Sequence, residues 1–210
     1  MPANPSVVVV TVNWNLPVET AQCVSSILAG DYPRQQVVVV DNASDDASVP
    51  LLRAQFADRA VVLEADANLY YGGGCNLGIA WALAHGADYV LVLNNDTWIA
   101  ADMVTRLVHL AEEHPDAGIV APMILRADEP RRIWALGSER RRWLPMPRDI
   151  GRGAEDRGQF QAPMRVDYVT GCAMLIRRGA LLLTASFDPR YQMYYEDADL
   201  ACRGAELGWE

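Results

Sequence analysis

The sequence predicts an α/β fold: a mostly parallel central sheet with helices on both faces. Apolar, largely β-branched runs at residues 7–12, 36–41, 60–65 and 89–93 read as buried strands. Segments of helical character separate them, and the connections between elements are short. Strand and helix alternate four times, as successive βαβ units would.

Val7 to Val12 is bounded by Pro5 and Asn13, which suits a fully buried strand. A helix follows over Pro17 to Leu28, with proline in its first turn and Gly30 just beyond its end. "QVVVVD" (36–41) is the second strand, a helix covers Ala47 to Phe56, and "AVVLEA" (60–65) is the third strand. Glycines 72–74 open a helix from Asn76 to His85, and Tyr89 to Leu93 is the fourth strand. An amphipathic helix starts at Asp102 and reaches His114, where Pro115 stops it. "GIVAPMIL" (118–125) reads as a further strand, residues 166–178 restore strand character, and 196–208 form a final amphipathic helix.

At 210 residues the chain fits one domain, 1–210, with a sizeable core. Residues 126–165 interrupt the alternation with ten arginines and six acids, as an Arg-rich excursion or loop carrying Trp134, Trp143 and Phe160. It reads either as a solvated loop or as a basic flap that approaches an anionic membrane surface. The net charge of −9 argues against nucleic acid as a partner. All 18 basic residues are arginine, which excludes lysine chemistry such as a Schiff base. Cys23, Cys75, Cys172 and Cys202 form no C-x-x-C pair and read as reduced thiols of a cytoplasmic protein. No apolar run reaches the length of a membrane span, so a soluble chain is expected, with peripheral membrane contact at the inner face as the alternative.

Three strands end in polar clusters: Asn13 and Asn15, then Asp41, Asn42 and Ser44, then Asn94 to Thr97. Each alone is explained as a turn or helix cap. Parallel strands bring all three to one edge, where open α/β sheets bind ligands. "YYGGGCNLG" (70–78) points to backbone N–H groups approaching an anion. It lacks the G-x-G-x-x-G spacing and follows the third strand, which disfavours a dinucleotide fold. Glu196, Asp197 and Asp199 share a helix start. Capping explains one or two of them, and a carboxylate lining a pocket there is suited to general-base work. His85, His109 and His114 show no metal-ligand spacing.

Taken in order, "VVVVTVNWN", "VVVVDNASDD", "ANLYYGGGCNLGI", "VLVLNNDT", "VTGCAMLIRR" and "FDPRYQMYYEDADLACRGAELGW" resemble glycosyltransferase family 2, in its rhamnosyltransferase-like subgroup. The resemblance covers nearly the whole chain apart from 126–165. It implies a GT-A type, Rossmann-like sandwich and an inverting sugar transfer from a nucleotide-diphosphate donor to an acceptor hydroxyl, with Mg²⁺ or Mn²⁺. The donor is expected to be UDP- or dTDP-linked, and the acceptor a saccharide or lipid-linked sugar in cell-surface polysaccharide or glycolipid synthesis.

By the same resemblance, Asp41 meets the pyrimidine base, with Thr11, Asn13 and Asn42 nearby. Asn68, Gly74 and Asn76 border the donor. Asn94, Asn95 and Asp96 match the D-x-D motif, with Asp96 as metal ligand. Gly171 and Cys172 fall on the acceptor side, and Asp197 is similar to the general base, supported or replaced by Glu196. Two departures stand out. Asn94 replaces the first carboxylate of D-x-D, and the chain stops at "GWE" where family members continue, which implies a core short of its C-terminal part. Two other functions compete: a non-catalytic nucleotide-sugar-binding module, and a sugar-1-phosphate nucleotidyltransferase. "NWNLPVET" after the first strand has neither the glycine nor the base that the latter uses on a triphosphate.

Overall fold

The computed structural model describes residues 4–140 and 147–209. Its main sheet is built from β1 (Val7–Asn13), β2 (Gln35–Asp41), β3 (Ala60–Glu64), β4 (Tyr89–Leu93), β5 (Ile119–Val120) and β10 (Ala173–Arg177). Their order is β3-β2-β1-β4-β10-β5. The first four strands are parallel, and β10 runs antiparallel to both β4 and β5.

Alternation along each strand divides the valines between two cores. Val7, Val9, Val37, Val39 and Leu91 pack under α1 (Pro17–Leu28), α2 (Ser48–Phe56) and α4 (Met103–Glu113). Val8, Val10, Val38, Val40, Val90 and Val92 pack under α3 (Tyr70–Ala84), α5 (Arg178–Thr184) and α6 (Glu196–Glu206). Burial on both faces is why these strands are unbroken apolar runs rather than alternating ones. Each fully buried valine contributes on the order of 1.5–3 kcal/mol.

Several elements depart from the sequence reading: strand character expected over 166–178 is confined to β10, and α5 has no counterpart in that reading. The strand expected over 118–125 is two short ones, because the interruption contains Pro122, which has no N–H to offer a ladder. β5 joins the main sheet, while β6 (Ile124–Leu125) pairs with β7 (Ile133–Ala135) in a separate ribbon. The helix expected from Asn76 begins at Tyr70, so glycines 72–74 lie inside α3 rather than before it. The reason is packing: a Cβ at Gly74 would stand 2.8 Å from Cγ1 of Val12, and one at Gly78 only 2.3 Å from Cγ1 of Val10. These glycines let α3 lie directly on β1, and their signal of backbone exposed to an anion is thereby withdrawn.

The excursion holds the β6–β7 ribbon and a second one, β8 (Ser138–Glu139) with β9 (Arg148–Asp149). Six of its ten arginines (126, 131, 132, 148, 152 and 157) are ion-paired with acids of the same segment. Such exposed pairs add little stability, and with ten arginines to six acids the segment stays net positive. The centre of the Arg-rich run, 141–146 with Trp143, lies outside the described residues. Among the described residues no helix is long and apolar enough to cross a membrane.

Gly78→Ala tests the contact between α3 and β1. Alanine gains about 1 kcal/mol of helix propensity, yet the clash with Val10 should outweigh it. Chemical denaturation should show a net loss of about 1–3 kcal/mol.

Candidate active site

From β1 the chain passes to β2 and β3 on one side, then returns to β4 on the other. That reversal places a topological switch point between β1 and β4, and the crevice beyond their carboxyl ends is where such sheets bind ligands. The polar clusters predicted from the sequence lie along this edge. Asn13, wholly buried at the last position of β1, donates from its side-chain amide to Ser44 Oγ (3.1 Å) and Asp41 Oδ2 (3.4 Å). Its Oδ1 accepts from the Thr20 hydroxyl at 2.7 Å, and Thr20 Oγ1 in turn accepts from the Asn95 amide at 2.9 Å. One chain of side chains therefore joins the ends of β1, β2 and β4.

Asp41 is 1% exposed, and its Oδ1 accepts the Ser44 N–H at 3.0 Å. In this state it orders the wall of the edge rather than facing solvent. Thr11 is also fully buried, beneath the edge. Asn42 donates to Asn68 Oδ1 and to the Tyr70 carbonyl, both at 3.0 Å, and accepts the Leu69 N–H at 2.9 Å. Asn68 accepts the Tyr70 N–H at 2.8 Å. These two asparagines fix the entry to α3. Asn76 lies apart from them: its amide donates to the Phe187 carbonyl (2.7 Å) and its Oδ1 accepts the Phe187 N–H (3.0 Å), which clamps the segment before α6.

The turn after β4 is held by its backbone. The Asn94 N–H donates to the Cys172 carbonyl at 2.9 Å, and the Asn94 carbonyl accepts from Thr97 Oγ1 (2.7 Å) and Cys23 Sγ (3.4 Å). Asp96 is left exposed at the tip. Its charge reaches both neighbouring thiols. Burial first, and Asp96 second, push Cys172 up to about 12. Burial likewise pushes Cys23 up to about 11, against hydrogen bonds from Thr97 that lower it. Both thiols are therefore protonated and unreactive at neutral pH. Among the described residues no three His, Cys, Asp or Glu side chains gather to hold a metal by themselves. A lone exposed carboxylate fits a hard cation that draws the rest of its shell from substrate phosphate and water.

Asp197 is bonded to the same stretch of backbone as Asn94, at residue 171. Its Oδ2 accepts the Gly171 N–H at 2.8 Å and its Oδ1 the Ala198 N–H at 2.7 Å. Glu196, beside it, is 8% exposed, with Oε2 lacking a hydrogen-bond partner among the described residues. Burial pushes its carboxyl up, and the adjacent Asp197 charge adds to the rise. Tyr194 and Tyr195 precede this pair, both at φ 68° and both exposed.

Among the described residues eight non-glycine residues have left-handed backbone, and five of them (Asn15, Ala43, Tyr70, Tyr194 and Tyr195) lie in the loops around this edge or at the helix start such a loop leads into. Such strain persists only where surroundings impose it, and it concentrates at functional sites. Sequence reasoning did not single out Thr20 or Tyr71. Thr20 sits on a helix where threonine reads as ordinary, and Tyr71 was hidden in a doublet of which only Tyr70 is exposed. A separate groove of about 530 Å³ lies on the α1–α2 flank, lined by Val18, Leu51, Leu52 and Trp98 among others.

The model described as glycosyl transferase family 2 matches residues 6–182, which take in every one of these elements except the Glu196–Asp197 pair and its loop. An N-acetylglucosaminyl-diphospho-decaprenol L-rhamnosyltransferase of Mycobacterium tuberculosis is 27% identical over 206 residues, covering 82% of this chain and 62% of the relative. Galactofuranosyltransferase GlfT1 of the same organism is 32% identical over 130 residues, 61% of this chain and 42% of the relative. The chain thus spans less than two thirds of the length of these relatives. Among solved structures, mannosyltransferase PcManGT from Pyrobaculum calidifontis, in complex with GDP-Man and Mn²⁺, matches all of this chain and 54% of its own, with TM-score 0.69 and 20% identity. S. aureus TarS 1–349 in complex with UDP matches 95% of this chain and 54% of its own, with TM-score 0.68 and 16% identity. With its sheet order and its polar strand ends on one edge, the chain has the GT-A fold and belongs to glycosyltransferase family 2.

Proposed function

We propose that the chain carries the donor site and catalytic base of an inverting glycosyltransferase that uses a nucleotide-diphosphate sugar, UDP- or dTDP-linked, in cell-surface polysaccharide or glycolipid synthesis. One observation carries this reading: Asp197 accepts the Gly171 N–H, and the turn that bears Asp96 is bonded through Asn94 to the adjoining Cys172 carbonyl, so one stretch of backbone ties both carboxylates to the edge where the strand ends meet. The name of one relative supports a lipid-linked sugar as acceptor, and the solved structures in complex with GDP-Man and with UDP support a sugar nucleotide as donor. A polyprenol-linked acceptor of that kind would put the site of action at a membrane surface, which we take to be the cytoplasmic inner face.

In this reading the nucleoside lies along Asn13, Asp41 and Asn42, and the diphosphate turns toward Asp96. Asp96 would hold Mg²⁺ or Mn²⁺, which when bound lowers the cost of charge developing on the departing diphosphate. Asn94 supplies backbone geometry to the turn where the family more often places a second carboxylate. Asp197 takes the proton from the acceptor hydroxyl as that oxygen bonds to the anomeric carbon. The bond to the diphosphate breaks on the opposite face, so configuration inverts. The two backbone N–H groups on Asp197 hold its carboxylate in place, and each of its oxygens keeps a lone pair for that proton. Glu196 lies deeper, where burial opposes a second negative charge, and it supports Asp197 from behind.

Asp197→Asn is the direct test. Turnover should fall by about 10²–10⁴-fold, the range of a lost general base, while UDP or dTDP binding by calorimetry stays within about twofold. Unchanged turnover would remove Asp197 from the base role. Glu196 makes a separate prediction in stability. Its folded pKa is raised, so the wild type is unpenalised below the unfolded value of about 4.3 and loses stability as pH rises through the folded one. Glu196→Gln should flatten that decline in melting temperature between about pH 4 and pH 8, bounds set around the same reference value; an identical pH slope in both proteins would show that Glu196 is not the group responsible.

A further inference from the structure

Tyr71 lies on α3, outside every role assigned above, and its surroundings are unusual for a helical tyrosine. The hydroxyl donates to the Gly171 carbonyl at 2.7 Å, across a separation of 100 residues. Burial pushes the phenol well up, so the hydroxyl keeps its proton and stays a donor. The ring packs at a tilt against Phe187, 6.5 Å between centroids, and the Phe187 backbone is clamped by Asn76 from the same helix. Tyr71 is therefore fixed at both its ring and its hydroxyl.

What it grips matters more. The peptide units of Gly171 and Cys172 are bonded on three sides. The Gly171 carbonyl accepts from Tyr71, the Gly171 N–H donates to Asp197 Oδ2, and the Cys172 carbonyl accepts the Asn94 N–H. The two residues form a strut with the Asp197 carboxylate at one end and the turn carrying Asp96 at the other. A Cβ on Gly171 would stand 3.4 Å from the Tyr71 ring and 3.5 Å from the Asp197 Cβ, so the strut, the ring and the acid are already in close contact.

We infer that Tyr71 is a positioning residue: through its bond to the Gly171 carbonyl it sets the separation between Asp197 and the turn that bears Asp96. This rests on the reading of those two carboxylates given under Proposed function. Without the hydroxyl, the Gly171 carbonyl loses its anchor on α3, and the strut keeps its bonds to Asp197 and Asn94 and the local one from the Cys172 N–H to Thr170 Oγ1. Displacement of a reacting group by about 1 Å costs on the order of a hundredfold in rate, while the donor contacts along β1 and β2 are untouched.

The test is Tyr71→Phe, which keeps the ring and removes the donor. Two readouts decide it. With whichever of UDP-glucose, UDP-N-acetylglucosamine or dTDP-rhamnose the wild type hydrolyses fastest, kcat should fall about ten- to a hundredfold. Donor KM and UDP affinity should stay within about twofold on the same ground, that only the strut moves. Native-state hydrogen exchange of the Gly171 amide, which needs no substrate, should be faster in Tyr71→Phe than in the wild type. Phe187→Leu, which loosens the ring but keeps the hydroxyl, serves as a stability control. Unchanged exchange at Gly171 overturns the inference whether or not turnover is measurable. So does a loss of kcat no larger than that of Phe187→Leu at matched melting temperature. Persistence of turnover in Asp197→Asn would instead overturn the base assignment, and the exchange result at Gly171 would still decide whether Tyr71 holds the strut.

Discussion

Burial of both faces of β1, β2 and β4 is the constraint from which the site follows. A strand covered on each side by helices penalises unpaired polar groups along its length, because each loses water without a partner. Polar residues therefore concentrate at the last position or beyond, with Thr11 inside β1 as a buried exception whose hydroxyl has no partner among the described residues. Since the strands are parallel, that rule applies at the same edge for all three. Asn13, Asp41 and the turn at Asn94 meet there for that reason, and their mutual hydrogen bonds satisfy them where the apolar core ends. The same packing demand puts Gly74 and Gly78 under β1 and brings α3 close enough for Tyr71 to reach Gly171.

Much of this was legible in the sequence because it is carried by local pattern. Unbroken valine runs marked the strands, Pro17 and Gly30 marked α1, and clusters of Asn and Asp marked the strand ends. What escaped depends on contacts distant in the chain. Glycines 72–74 look like a loop to any rule based on propensity, and only the proximity of Val10 and Val12 shows that a helix needs them at Gly74 and Gly78. The run 118–125 looks like one strand until Pro122 is placed between two different sheets. Tyr71 acts on a residue 100 positions away, and no local signal distinguishes it from a core residue; the motif picks out Asn76, but not its clamp on Phe187, 111 positions away.

The candidate site divides in the same way. Asp96 and Asp197 were singled out by motif, and the fold brings both to a common backbone strut. Asp41 and Asn42 also belong to the edge, but as members of the wall, bonded to Ser44, Asn68 and Tyr70. The motif identifies which residues are present; the hydrogen-bond pattern separates those that present a free group from those that hold the others still. Backbone strain follows the same boundary, with left-handed residues in the loops that ring the edge.

In the proposed function the donor diphosphate lies on the polar edge between β1 and β4, not in the apolar groove on the α1–α2 flank. A crystal structure with UDP and Mn²⁺ would show where it sits. The metal should be bound to an Asp96 oxygen and to the diphosphate beyond the ends of β1 and β4, with the nucleoside toward Asp41. Nucleotide seated in the groove beside Val18, Leu51 and Trp98, with the metal away from Asp96, would contradict it.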